Sequence, residues 1–212
     1  MSHPMESEQT YYHILEGSPF LFADERCKKR LLDIVFELYR LRDWRLYAFC
    51  VTDSTAYFLS VTAGRSRIGE DLQKVTDEFL RWSAGAEDIW LGASKEILVR
   101  RMKEPKSMED IVRLCRQIHR IPLELGYVEQ VQDYWWSSYP TYTGSFLWDV
   151  VDCHEVLRQF SVNPDLAKSR FRKFHSSFEL PTLYITRPFT KNDAKIIKLN
   201  EKNLFLKKFE TL

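Results

Sequence analysis

The sequence predicts an α+β protein: a ferredoxin-like split β-α-β antiparallel sheet with an extra helix, followed by a C-terminal helical extension. Three observations predict it. Apolar residues switch between a period of two and a period near 3.6 in the order β-α-β-β-α-β-α. Two β-rich runs, "RLYAFCV" (45–51) and "TAYFLSV" (55–61), are separated only by Thr52, Asp53 and Ser54, which suits a tight hairpin. Beyond Trp148 the pattern breaks into short helical stretches, 149–160, 163–175 and 190–209.

Each element has a local reason. Residues 9–16, "QTYYHILE", suit a first strand. Asp24 can cap a helix from about Glu25, whose apolar face would carry Leu31, Ile34, Val35, Leu38 and Leu41. Ile68, Leu72, Val75, Phe79 and Trp82 alternate steps of four and three, a second amphipathic helix. Residues 94–102 suit a fourth strand. Ser107 with Asp110 forms a capping box before Ile111, Leu114, Cys115 and Ile118, and Pro122 is expected to end that helix. Residues 121–147 read as an irregular aromatic wrap. The expected division is 1–147 for the sheet domain and 148–212 for a basic helical extension.

The 212 residues are 44% hydrophobic and 29% charged, with 7 Gly and 8 Pro, a composition without low-complexity linkers. No apolar run approaches the roughly 18 residues of a membrane span, and the polar N-terminus lacks a signal-peptide core. Cys27, Cys50, Cys115 and Cys153 are scattered without CxxC spacing, as expected of reduced thiols in a cytoplasmic protein. Net charge is +1 but unevenly spread. Residues 165–212 hold eleven Lys/Arg against five Asp/Glu, a net of +6, which leaves −5 for the rest. A basic tail on an acidic body either contacts phosphates or is simply well solvated.

Several local phrases carry a family likeness. They are "YYHILEGSPFLFADERCKKRLL" (11–32), "DIWLGASKEILV" (88–99), "RQIHRIPLELGYV" (116–128) and "DYWWSSYPTYTG" (133–144). The last matches Tyr-x-Trp-Ser-Ser-Tyr-x-x-Tyr-x-Gly almost residue for residue. In order and spacing the chain, over roughly 9–145, resembles the single-tyrosine HUH transposases, especially the REP-associated tyrosine transposases. In many relatives a helix-turn-helix follows; "TRPFTKNDAKIIKL" (186–199) resembles only its beginning.

The resemblance implies a known chemistry. A tyrosine hydroxyl breaks one DNA strand and joins the 5′ phosphate, while a divalent metal polarises the scissile phosphate. Two strand histidines one residue apart and a side chain four residues after the tyrosine hold that metal, since strand and helix periods place each pair on one face. Aligned without gaps, "AFCVTDSTAYFL" (48–59) puts the two histidine positions on Thr55 and Tyr57. "RQIHRIP" puts the nucleophile on Gln117 and the third ligand on Ile121; an Arg of another family phrase falls on Ala93. A neutral Thr hydroxyl and a phenol are poor ligands, Ile has no lone pair, and Gln has no ionisable nucleophile. The expectation is no catalytic residue, no metal site and no cofactor. Tyr57 then reads as a sheet-face aromatic, and His119, about 200° around the helix from Gln117, as a packing or hydrogen-bonding residue.

Candidate DNA-binding residues are Arg65 and Arg67 after the third strand, Lys95, Arg100 and Arg101 about the fourth, and Lys168, Arg170, Arg172 and Lys173 on a later helix. Each cluster either meets phosphate or is a solvated face. Trp135, Trp136, Phe171 and Phe174 are expected in the core, the alternative being stacking on unpaired bases. The function expected is a catalytically inactive transposase-like protein that holds hairpin or single-stranded DNA uncut. The alternative is a protein-interaction or regulatory module that has lost DNA binding. The resemblance also raises a homodimer joined through the sheets.

Overall fold

The computed structural model describes residues 8–63, 68–86, 96–101 and 105–176, and for Glu8, Ala63 and Arg101 the backbone alone. The strands are β1 (Glu8–Gly17), β2 (Arg45–Val51), β3 (Thr55–Ala63) and β4 (Ile97–Arg101); the helices are α1 (Glu25–Arg42), α2 (Ile68–Ala84), α3 (Met108–Leu125), α4 (Tyr139–Thr143), α5 (His154–Arg158) and α6 (Pro164–Ser176). The sheet order is β2-β3-β1-β4, with every neighbouring pair antiparallel. This is the expected α+β split β-α-β arrangement.

Register sorts the side chains. Tyr11, His13 and Leu15 pair across from Ser60, Phe58 and Ala56, so these share one face. Tyr12 and Ile14 pair across from Leu59 and Tyr57 and share the other. On the first face, Phe36 of α1 meets Phe49 edge-on at 5.5 Å, and Tyr39 of α1 bonds the Ser60 hydroxyl. Phe79 of α2 meets Phe22 at 5.4 Å. The third helix, α3, packs against β2 and β3 and brings Cys115 and Ile118 into the same core.

The caps follow the sequence. Asp24 accepts from the Arg26 N–H at 2.8 Å, and Ser107 accepts from the Asp110 N–H at 3.1 Å. Asp110 returns to the Lys106 N–H at 3.1 Å, one residue beyond the usual capping-box partner. Thr52 closes the hairpin twice, through its N–H (2.8 Å) and its hydroxyl (3.0 Å) to the Thr55 carbonyl. Pro122 does not end α3, contrary to expectation. The helix runs on to Leu125 and stops at Gly126, whose φ of 78° lets its N–H turn back to the Leu123 carbonyl at 3.2 Å.

The aromatic wrap covers the outer edge of β2. Val51 N–H reaches the Trp136 carbonyl (2.8 Å), Ser138 N–H the Phe49 carbonyl (3.0 Å) and Asp152 N–H the Leu46 carbonyl (2.9 Å). Tyr134 and Tyr142 donate their hydroxyls to the Val51 and Tyr47 carbonyls at 2.6 and 2.7 Å. An edge that would otherwise offer unpaired groups is thereby satisfied. Residues 149–153, expected to be helical, are instead drawn out along Leu46, and the helix is confined to α5. The stretch 190–209 lies outside the described residues.

Candidate functional site

Thr55 and Tyr57 share the sheet face that carries Tyr12 and Ile14, and Gln117 and Ile121 stand one turn apart on α3, which packs against β2 and β3. The environment of each is that of a packed surface. Tyr57 is fully buried, in register between Ile14 and Cys50. The Thr55 hydroxyl is shared with Ser54 at 3.3 Å, and its backbone closes the hairpin. Ile121 packs half-buried against the core, and Gln117 is half-buried. A divalent cation, which the resemblance implies, does not fit these groups: a phenol locked in a sheet face and an aliphatic chain supply no second or third ligand. Arg100, one of the candidate phosphate contacts, sits beside this region and is paired with Glu16 at 2.6 Å, both half-exposed.

Beneath the wrap lies a buried polar chain that the sequence did not disclose. His119 Nδ1 meets His175 Nε2 at 3.1 Å, and His119 Nε2 meets the Ser138 hydroxyl at 2.7 Å. His175 Nδ1 lies 2.9 Å from the Phe171 carbonyl. A carbonyl only accepts, so Nδ1 of His175 carries the proton, its Nε2 accepts from His119, and His119 accepts from Ser138. Ser138 in turn accepts the Phe49 N–H at 2.9 Å. The neutral chain is thus satisfied throughout. Burial, with His175 adjacent, holds His119 well below the usual imidazole range. Burial also lowers His175 to about 3, against the pull of the Phe171 carbonyl and helped by Arg116 and Arg120.

This chain fastens α6 to α3, assisted by two arginines of α3. Arg116 Nε donates to the Phe174 carbonyl (2.8 Å) and Arg120 Nη1 to the His175 carbonyl (2.6 Å), cations at the C-terminal end of α6 where they suit the helix dipole. Phe171 stacks on Tyr142 at 4.6 Å and 6°. His119 is therefore the packing and hydrogen-bonding residue expected, whereas His175, 56 positions away, had no spacing signal to betray it.

The chain matches no protein-family model and no curated protein. Among solved structures it is similar to a REP-associated tyrosine transposase bound to a REP hairpin, with a TM-score of 0.50 and 16% identity over 72% of this chain and 94% of that one. The fold is transposase-like.

On that transposase-like fold the candidate basic residues part company. Arg65, Arg67 and Lys95 lie outside the described residues, as does the side chain of Arg101. Those of α6 are brought together on one helix. Arg170 and Lys173 are exposed, and Arg170 also donates to the Phe160 carbonyl at 2.7 Å. Arg172 donates to the Thr143 carbonyl at 2.9 Å. Lys168 points its amine toward Gly144. Phe171 is core and Phe174 half-buried under the Arg116 guanidinium, 5.2 Å from its ring centre. Trp136 packs against the core, but Trp135 does not: it is 56% exposed, because its neighbours Tyr134 and Trp136 take the two bonds to Val51 and turn it outward. Among the described residues no helix is long and apolar enough to cross a membrane.

Proposed function

We propose that this is a catalytically inactive transposase-like protein of the cytoplasm that holds hairpin or single-stranded DNA without cutting it. The observation that carries the proposal is the state of Thr55, Tyr57, Gln117 and Ile121. The positions that the resemblance assigns to metal and nucleophile hold a hairpin hydroxyl, a fully buried phenol, an amide and an aliphatic chain. The likeness to a structure bound to a DNA hairpin supports a nucleic-acid partner, and the basic face of α6 supports phosphate as its target. Two chains joining through their sheets would use β4, since the wrap occupies the β2 edge.

Fluorescence anisotropy with labelled hairpin and linear single strands, across a salt series, tests this reading. Micromolar or tighter binding that weakens steeply with salt is the expected result. A second reading, an interaction module that no longer binds DNA, is favoured by the internal engagement of Arg100, Arg170 and Arg172. Absence of binding at low salt selects it.

A further inference from the structure

We propose that Trp135 and Phe146 form a platform on which an unpaired nucleobase stacks while its phosphate meets Lys168, whose amine lies against Gly144, two residues before Phe146. The inference rests on the DNA-binding reading above and names what this face takes: single-stranded nucleotides rather than the duplex stem.

The rings are exposed and yet held. Trp135 is 56% and Phe146 43% exposed, with Leu147 beside them at 74%. Their centroids are 5.9 Å apart with planes at 87°, so the two rings make a corner. A base lying flat on one ring meets the edge of the other. The backbone on both sides is fixed. Tyr134 and Trp136 are each bonded to Val51, and the Phe146 N–H is held by the Pro140 carbonyl at 3.3 Å. Trp148 backs Phe146 at 4.8 Å and rests in turn on Phe49 at 5.6 Å. Large apolar rings are shown to solvent on a rigid mount, so stacking costs little ordering.

Charge decides what the corner receives. Gly144 lies two residues before Phe146, and a Cβ built there would sit 3.3 Å from Lys168 Nζ. Lys168 makes no hydrogen bond or ion pair among the described residues. Its helix carries Lys168, Arg170, Arg172 and Lys173 against Asp165 alone. Of the acids nearby in sequence, Asp149 is paired with Arg40 at 2.8 Å and Asp152 with Arg45 at 3.0 Å, while Asp133, two residues before Trp135, is exposed. An aromatic corner with cations alongside suits a base and its phosphate.

The test compares a blunt hairpin with the same hairpin bearing an oligo-thymidine tail, read by anisotropy on the full chain. The tail is expected to tighten binding about tenfold. Trp135→Ala should abolish that advantage, Trp135→Phe should keep most of it, and Lys168→Ala should flatten the salt dependence by roughly 0.7 unit in log–log slope. Melting curves confirm that each variant folds; Trp135 is exposed, so its truncation leaves the core intact. A tail without effect, or an advantage that survives Trp135→Ala, overturns the platform while leaving the DNA-binding reading in place. No binding of either hairpin overturns both. Displacement of the tail by a poly-glutamate peptide at equal concentration overturns it in favour of an acidic protein partner.

Discussion

At Tyr57 the difference between a catalytic and a structural side chain is measurable. A ligand or nucleophile at that position would be expendable to folding. A fully buried phenol ring is not. Tyr57→Ala is expected to cost about 3–5 kcal/mol in chemical denaturation, the range for deleting a buried aromatic ring; a cost under about 1 kcal/mol would deny it a core role. Gly17 makes a second case. A Cβ there would meet Leu21 Cδ2 at 2.8 Å and the Ser54 carbonyl at 3.2 Å, and its own N–H bonds that carbonyl at 2.8 Å. Gly17→Ala should therefore destabilise by about 1–2 kcal/mol, because the backbone carbonyl gives way less readily than the leucine tip.

At the scale of elements, the contact between α3 and α6 sets a pH dependence. In the fold His175 titrates near 3, against about 6.5 when unfolded. Between those values the unfolded chain binds more protons, so stability is fully present above about pH 6.5 and declines as pH falls. The decline approaches about 1.4 kcal/mol per pH unit for each imidazole. Arg116 and Arg120 of α3 oppose any added charge, while Tyr139 and Tyr142 of α4 pack their rings on the pair without offering a carboxylate. Urea melts from pH 7 to 4 should show this slope, and His175→Ala should remove one imidazole's share of it while costing about 1–3 kcal/mol at pH 7. A wild-type stability independent of pH in this range would contradict the buried neutral pair.

These elements also show what the sequence could reveal. The strands and the first three helices were legible because each carries a periodic apolar face and a local cap, as at Asp24 and Ser107. Pro122 misled because its missing N–H costs only one bond in the last turn, and Gly126 supplies the true stop. The wrap was legible as aromatic but not in its orientation. Trp135 and Trp136 are adjacent, and which one faces outward depends on bonds to Val51, some 83 residues away in sequence. The His119–His175 chain was invisible for the same reason.

For the molecule as a whole, the fold is transposase-like, and the proposal is that packing side chains stand where the resemblance puts the groups that cut DNA. The same scaffold leaves a basic helix and an aromatic corner on its surface. The direct test incubates an end-labelled hairpin with saturating protein and manganese, then resolves the DNA on a denaturing gel. All label is expected to return as full-length, protein-free strand. A covalent protein–DNA adduct or a shortened labelled strand would contradict the proposal.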